Sequence, residues 1–452
     1  MKLLAPAALL PGGWAERVVI EVDDAGLIAS VVANGEAEGA EALRGPLVPA
    51  MPNAHSHAFQ RAIAGRTGRP ASGRDDSFWS WRQAMYAFLD RLDPDGFEAI
   101  AAQVYVEMLK SGYASVAEFH YVHHDPKGRP YADRAELAMR IAAAAQQAGI
   151  ALTLLPVFYA HAGFGGLPPT EGQRRFIHDV DAFAALVERL RAEAPHRYVV
   201  GIAPHSLRAV APGELGQILR LVPRDAPVHI HAAEQTREVD ECIAATGLRP
   251  VEWLLAHATP DARWCIVHAT HVTERESDAL AACGAVVGLA PTTEADLGDG
   301  VFPAARYLSA GGAMAVGSDS NTAVSPFDEL RILEWSQRLV ARRRNVLADD
   351  SGLCVGASLW RRAARGGAQA IAQPAGSIAP GCRADLLVLD TGDPALAGQR
   401  ADDVLDAAIF GPARRPVRDV IAGGRFVVRD GRHPYEDMVF ERYRNALARL
   451  AA

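Results

Sequence analysis

The chain lacks the cysteine pairing of a disulfide-stapled scaffold. Its five cysteines, Cys242, Cys265, Cys283, Cys354 and Cys382, are odd in number, and no two stand in a Cys-x-x-Cys spacing. A disulfide framework is therefore not expected, and a reducing, cytoplasmic setting is. Long hydrophobic runs are missing too: none approaches the ~20 apolar residues that cross a bilayer, so no membrane partner is expected. Residues 1–11 imitate a signal peptide, but the stretch is short and broken by Pro6 and Pro11, and a strand-like run at 17–22 follows closely. Export is not expected either. Positive charge is in deficit, 46 Lys and Arg against 54 Asp and Glu for a formal net charge of −8, which argues against nucleic acid as a partner. What is present is ordinary globular composition, 49% hydrophobic and 22% charged, over 452 residues. That length allows two or three domains, or one large barrel with an appendage.

Both ends share one texture, short strand-like runs broken by glycine turns: 17–22 and 27–32 early, 384–390, 417–422 and 425–428 late. One small β-domain built from both termini accounts for them, with the centre inserted between. The centre alternates. Strand-like runs at 47–50, 115–119, 151–158, 198–203, 227–230, 264–267, 285–289 and 313–317 are separated by helical patterns such as 97–110, 134–148 and 180–194. Alternation implies parallel strands, and eight of them fit a closed (β/α)8 barrel of the TIM type better than an open doubly wound sheet. The expected fold is thus α/β: a barrel over residues 47–368 and a small β-sandwich from residues 1–46 and 369–452.

In such a barrel, chemistry sits beyond the C-terminal ends of the strands. His55 and His57 follow the first run; Glu118, His120 and Tyr121 the second; His205 and Arg208 the fourth; His231 and Glu234 the fifth; His268 the sixth; Asp319 the eighth. Two histidines at i and i+2 on a strand end face the same side, and neutral imidazoles so held fit two corners of a metal site. His231, His268 and Asp319 are the further candidates, and three histidines with one aspartate suit a single divalent ion, with Zn²⁺ the expected one. His229, deeper in its strand, reads as a packed core residue, and His271 as a loop or cap residue. Glu234 reads either as a proton shuttle beside the metal or as first-turn charge on a helix. His123, His124 and the run Arg342–Arg343–Arg344 read as loop and solvated-face residues.

The runs Pro-Asn-Ala-His-Ser-His (52–57), His-Ala-Ala-Glu (231–234), Val-His-Ala-Thr (267–270) and Gly-Ser-Asp-Ser (317–320) resemble the amidohydrolase superfamily in its mononuclear deaminase branch. The tail at 376–390 is similar to that superfamily's returning β-domain, so the resemblance covers nearly the whole chain. No lysine is placed for carboxylation between two metals; Lys110 and Lys127 stand elsewhere. The runs at 55–61, 79–82, 118–121 and 203–210 resemble, more narrowly, a subgroup that hydrolyses N-formimidoyl-L-glutamate to N-formyl-L-glutamate and ammonia in histidine breakdown. Ser56, where many relatives carry threonine, agrees with that subgroup. The resemblance implies His55, His57, His231 and Asp319 as ligands, and Gln60, Arg82, Tyr121, His205 and Arg208 as contacts to a small dicarboxylate. It also implies a homodimer.

The chemistry expected is attack by a metal-activated water. Asp319 accepts a proton, Glu234 passes one to the departing nitrogen, and His268 hydrogen-bonds the nucleophile or the new oxygen. The neighbouring alternative is a deaminase of a nucleobase, nucleoside or triazine ring. The alternative of another class is a non-catalytic barrel scaffold, which complete retention of the expected ligands argues against.

Overall fold

A computed structural model describes residues 1–67, 77–194 and 197–451. Five strands open the chain: β1 (Lys2–Leu10), β2 (Gly13–Val22), β3 (Ile28–Ala33), β4 (Glu41–Ala42) and β5 (Leu47–Pro49). The centre carries β6 (Met51–Ser56), β7 (Tyr113–His120), β8 (Ala151–Phe158), β9 (Val199–Val200), β10 (Ala203–Pro204), β11 (Val228–Ala232), β12 (Trp264–His268), β13 (Val286–Leu289) and β14 (Ala313–Val316). Three more follow late: β15 (Leu386–Leu389), β16 (Val417–Ala422) and β17 (Arg425–Val428).

The central strands form two parallel sheets. One runs β10-β8-β7-β6 with β9 on β8, the other β11-β12-β13-β14. β7, β11 and β12 are buried at every position, as strands covered on both faces must be. Backbone bonds join the sheets at both edges. His229 N donates to Ile202 O at 3.1 Å, and Asp319 N donates to His55 O and His57 N to Asp319 O, both at 2.9 Å. Gly317 makes the second junction possible, since a Cβ there would stand 2.7 Å from His55 N and O.

Helices between the strands begin and end on local signals. In Pro94–Ser111, the Asp93 carboxylate accepts Gly96 N at 2.6 Å, Pro94 occupies the first turn, and Gly112 (φ +107°) closes the helix directly before β7. Gly149 (φ +84°) does the same between Glu136–Ala148 and β8. Left-handed backbone at these two turns favours glycine.

The outer strands form one mixed sheet, β17-β16-β15-β5-β1-β2-β3, with β4 on β1. Its apolar face gathers Leu3, Val18, Ile20, Leu386, Val388 and Ile421, all fully buried. Gly26 and Gly423 abut, so that a Cβ on Gly26 would lie 2.3 Å from Gly423 O, and the sheet curls over that face. Where the sequence predicts a sandwich, strands of both chain ends share one continuous hydrogen-bonded sheet, curled over its own apolar face.

Other local readings are corrected as well. The signal-like start is β1, paired along its length with β2. The run at 47–50 is not the first strand of the parallel set: β5 pairs with β1 and β15, and the parallel strand is β6. A change of direction at Ala50, between Pro49 and Pro52, separates two strands that a hydropathy reading fuses. The region after 369 also contains helices, Ala401–Phe410 and Glu436–Ala451. The latter packs on Pro94–Ser111 through Lys110–Glu436 at 2.5 Å and Arg442–Glu98 at 2.8 Å. Arg342, Arg343 and Arg344 are exposed but lie just past the helix Pro326–Ala341 rather than on its face.

Candidate metal centre and active site

The C-terminal ends of β6, β11, β12 and β14 converge. His55 Nε2 lies 3.1 Å from both His57 Nε2 and His231 Nε2. Asp319 Oδ1 lies 3.2 Å from His57 Nε2 and 3.5 Å from His55 Nε2. Four ligands about 2.05 Å from a shared ion are separated by about 3.3 Å in a tetrahedron. Those four spacings match such a set, whereas Asp319 has no ion-pair contact within 4 Å of His231, and His55, His57 and His231 are the one cluster of metal-ligating groups found among the described residues. The rings are oriented for it. His57 Nδ1 meets Phe119 O at 3.0 Å and His231 Nδ1 meets His205 O at 3.1 Å, which leaves each Nε2 with its lone pair toward the centre.

Charge states agree with the geometry. Burial, with neighbouring imidazoles, pushes His55 down to about 3 and holds His231 well below the usual range, so both stay neutral. Burial alone would raise the Asp319 carboxyl, but hydrogen bonds and charge from His55 and His57 outweigh it and hold it well below the usual range. An anion and neutral imidazoles are the forms that bind a cation. The donor set therefore fits one divalent ion.

His268 ends β12, with Nε2 3.7 Å from Asp319 Oδ2 and 3.6 Å from Glu234 Oε1. It stands beside the cluster of three histidines and is not part of it. Burial raises the Glu234 carboxyl toward the protonated form, with His268 and Arg208 opposing. Several non-glycine residues of the strand-end turns hold left-handed backbone: Ala233 (φ +54°), His268 (+67°), Ala269 (+50°), Asp319 (+42°) and Asn321 (+56°). Such conformations cost of order 1–3 kcal/mol each and persist where surroundings impose them.

Beyond the cluster opens a pocket whose lining includes Gln60, Arg82, Tyr121, His205, Arg208 and Glu234. All five expected substrate contacts thus face the same space as His57, His231 and Asp319. Gln60 Nε2 donates to Tyr121 Oη at 2.8 Å, leaving its buried Oε1 without a partner. Arg82 and Arg208 have buried Nε atoms without partners, and neither has an ion pair within 4 Å among the described residues. Arg82 sits on the helix Phe78–Leu89, capped by Ser77, whose Oγ accepts Trp79 N at 3.3 Å. Trp79 is bracketed by guanidiniums, with Arg82 4.5 Å, Arg237 4.4 Å and Arg208 5.7 Å from a ring centroid.

Other candidates fall elsewhere. His120 was expected at the mouth, but strand alternation turns it outward against Phe97 and His123, at centroid distances of 5.6 and 5.2 Å. Glu118 points the same way and accepts Ala58 N at 2.7 Å and Tyr105 Oη at 3.1 Å; burial pushes it up to about 7. His229 is a core residue on Ala370 O at 2.7 Å, and His271 lies in a loop on Asp299 O at 2.8 Å. His123 and His124 are loop residues tied to Val157 O and Ile177 O, at 3.0 and 2.7 Å. Sequence reasoning missed Tyr159, Thr293 and Ser320, which also line the pocket. Tyr159 follows β8 directly, so the strand-end rule would have found it.

Known proteins resemble this chain over nearly its whole length. A family model described as "Amidohydrolase family" matches residues 47–427. Formimidoylglutamate deiminase of Pseudomonas aeruginosa is 52% identical over 436 residues, 96% of each chain. A crystal structure of an amidohydrolase from Brucella melitensis superposes with a TM-score of 0.95 at 47% identity, covering 100% of both chains. An adenosine deaminase from Xanthomonas campestris, solved with bound zinc, shares the fold at a TM-score of 0.81 and 22% identity, over 100% of this chain and 98% of its own. With its matched region spanning the parallel strands and every ligand candidate, the chain belongs to the amidohydrolase family.

Proposed function

We propose that this chain hydrolyses N-formimidoyl-L-glutamate to N-formyl-L-glutamate and ammonia. The carrying observation is a pair of arginines, Arg82 and Arg208, that face the metal-centre pocket and form no ion pair within 4 Å among the described residues. A substrate with two carboxylates supplies what those guanidiniums lack, and planar guanidinium forks suit carboxylates. A relative 52% identical and named for this activity supports the reading.

The architecture proposed with it is a closed (β/α)8 barrel of the TIM type over 47–368, with a β-domain from 1–46 and 369–452. The backbone bonds at both sheet edges support closure. A divalent ion, Zn²⁺ in this reading, would be held by His55, His57, His231 and Asp319 and would supply Lewis acidity toward the attacking water. Asp319 would accept that water's proton, and Glu234, whose burial favours a protonated carboxyl, would deliver one to the departing nitrogen. His268 would hydrogen-bond the nucleophile or the new oxygen from beside the ligands. Gln60, Tyr121 and His205 would orient the substrate with the two arginines.

A homodimer belongs to the same proposal, supported by exposed Trp335, Leu339 and Val340 on the outer side of Pro326–Ala341. No helix among the described residues is long and apolar enough to cross a membrane, and a cytoplasmic setting is part of the reading. Ammonia release from N-formimidoyl-L-glutamate by zinc-replete and chelator-treated protein, beside adenosine and 8-oxoguanine, tests it. Release from the formimidoyl compound alone, lost on chelation and restored by zinc, is expected; preference for either purine would overturn it.

A further inference from the structure

Among the imidazoles of the site, His268 is the one whose Nδ1 meets a carboxylate. That nitrogen lies 3.2 Å from Glu294 Oε1, and both residues are buried, at 1% and 6% exposure. Its Nε2 has no hydrogen-bond partner and points between Glu234 and Asp319. Glu294 lies on the short helix Pro291–Leu297 after β13, and its Oε1 also accepts Ala290 N at 3.0 Å, so the carboxylate is fixed from its own side. The ring in turn rises from two consecutive residues in left-handed backbone, His268 and Ala269. His57 and His231, by contrast, anchor Nδ1 on backbone carbonyls.

We propose that Glu294 is a positioning residue: its carboxylate accepts the Nδ1 proton of His268, fixes that ring's tautomer and direction, and so presents Nε2 to the reacting water. A carboxylate on one ring nitrogen decides which nitrogen carries the proton in a neutral imidazole, and hence what the other can do. With Nδ1–H held by Glu294, Nε2 is the nitrogen turned toward the nucleophile. Without Glu294 the ring is free to rotate and to release Nδ1–H to another partner, and that orientation is lost. Glu294 touches neither ligand nor substrate space directly through this contact; its effect passes through His268. The inference rests on the deiminase reading only for the substrate used to measure turnover.

The test uses zinc-loaded full-length protein labelled with ¹⁵N-histidine, with the His268 ring signals assigned by their loss in His268→Gln. Wild type is expected to show His268 protonated at Nδ1. In Glu294→Ala that pattern is expected to change, with kcat on N-formimidoyl-L-glutamate falling about 10- to 100-fold, the range seen when a partner of an active-site imidazole is removed. KM should stay within about threefold, since substrate-binding groups are untouched. Glu294→Gln retains an acceptor oxygen and should restore the wild-type ring pattern and most of kcat. Zinc content and unfolding midpoint accompany each variant. Wild-type His268 carrying its proton on Nε2, with Nδ1 bare, overturns the proposal whether or not the variants fold. So does Glu294→Ala with unchanged kcat, or with only KM altered. Wild-type protein that turns over no formimidoyl-glutamate sinks the substrate assignment instead, and the ring measurement still decides the role of Glu294.

Discussion

The mouth of the parallel strands and the curled sheet from the chain ends are built on opposite terms. The sheet's inner face is aliphatic, and its residues Leu386, Val388 and Ile421 are fully buried in one hydrophobic cluster. The mouth buries imidazoles, carboxylates and guanidiniums instead, several with unpartnered atoms, on turns held in left-handed backbone. A hydrophobic cluster gains from burial alone. Buried polar atoms cost free energy until something arrives to pair with them. The difference teaches where ligands are awaited: the unpaired groups at the mouth are those that a cation and a dicarboxylate would complete.

The sharpest way to break the comparison is at Glu234. Glu234→Gln keeps side-chain volume and removes the proton; kcat should fall about 10²- to 10⁴-fold with zinc content unchanged. Steady-state ammonia assays with metal analysis check this, and near-normal turnover would remove Glu234 from the chemistry. Next comes Arg208→Ala, expected to lower kcat/KM about 30- to 1000-fold, the loss of about 2–4 kcal/mol for an unpaired buried carboxylate. A formimidoyl compound with one carboxylate should lose less than formimidoyl-glutamate does. On the other side of the comparison, Leu386→Ala should destabilise the fold by about 2–5 kcal/mol in denaturant titrations. The folded fraction should keep its kcat, because the sheet carries no reacting group.

The smallest expected effect concerns acid stability. Burial lowers His120 and His178 to about 3 and His229 to about 4, all away from the pocket. Between about pH 4 and 6.5 the unfolded chain binds these protons and the native one does not. Stability therefore rises with pH across that window, and falls on acidification, with a slope of at most about 4 kcal/mol per pH unit from the three together. Replacing all three with glutamine should flatten unfolding curves measured from pH 4 to 6.5; an unchanged slope would assign the acid sensitivity to other groups.

Much of the site was legible because its residues sit at strand ends, where periodicity and chemistry coincide. His55, His57, His231 and Asp319 each close an apolar run, and the structure brings them together. What could not be read is what depends on pairing partners. Nothing in residues 47–56 says that β5 joins the curled sheet while β6 joins the parallel one, since both are buried and separated by a single residue. Nor does a lone Glu294 in a polar run announce a contact to His268, 26 residues back, because only the packing of the helix Pro291–Leu297 against the end of β12 creates it. His120 misled for a related reason: the strand end was right, but its parity faces the helix layer.

Asp319 reaches its partners through the junction of β6 with the segment after β14, the place where the first and last parallel strands zip together. The proposed coordination shell would thus be drawn from the first and last of the parallel strands, and in the proposed barrel it would exist only once the ring of strands has shut. A nascent or half-unfolded chain would present the His55–His57 pair but not the carboxylate. In that reading tight metal uptake would report that the whole circuit of strands has formed, and zinc in solution would pull the chain toward that shut state by mass action.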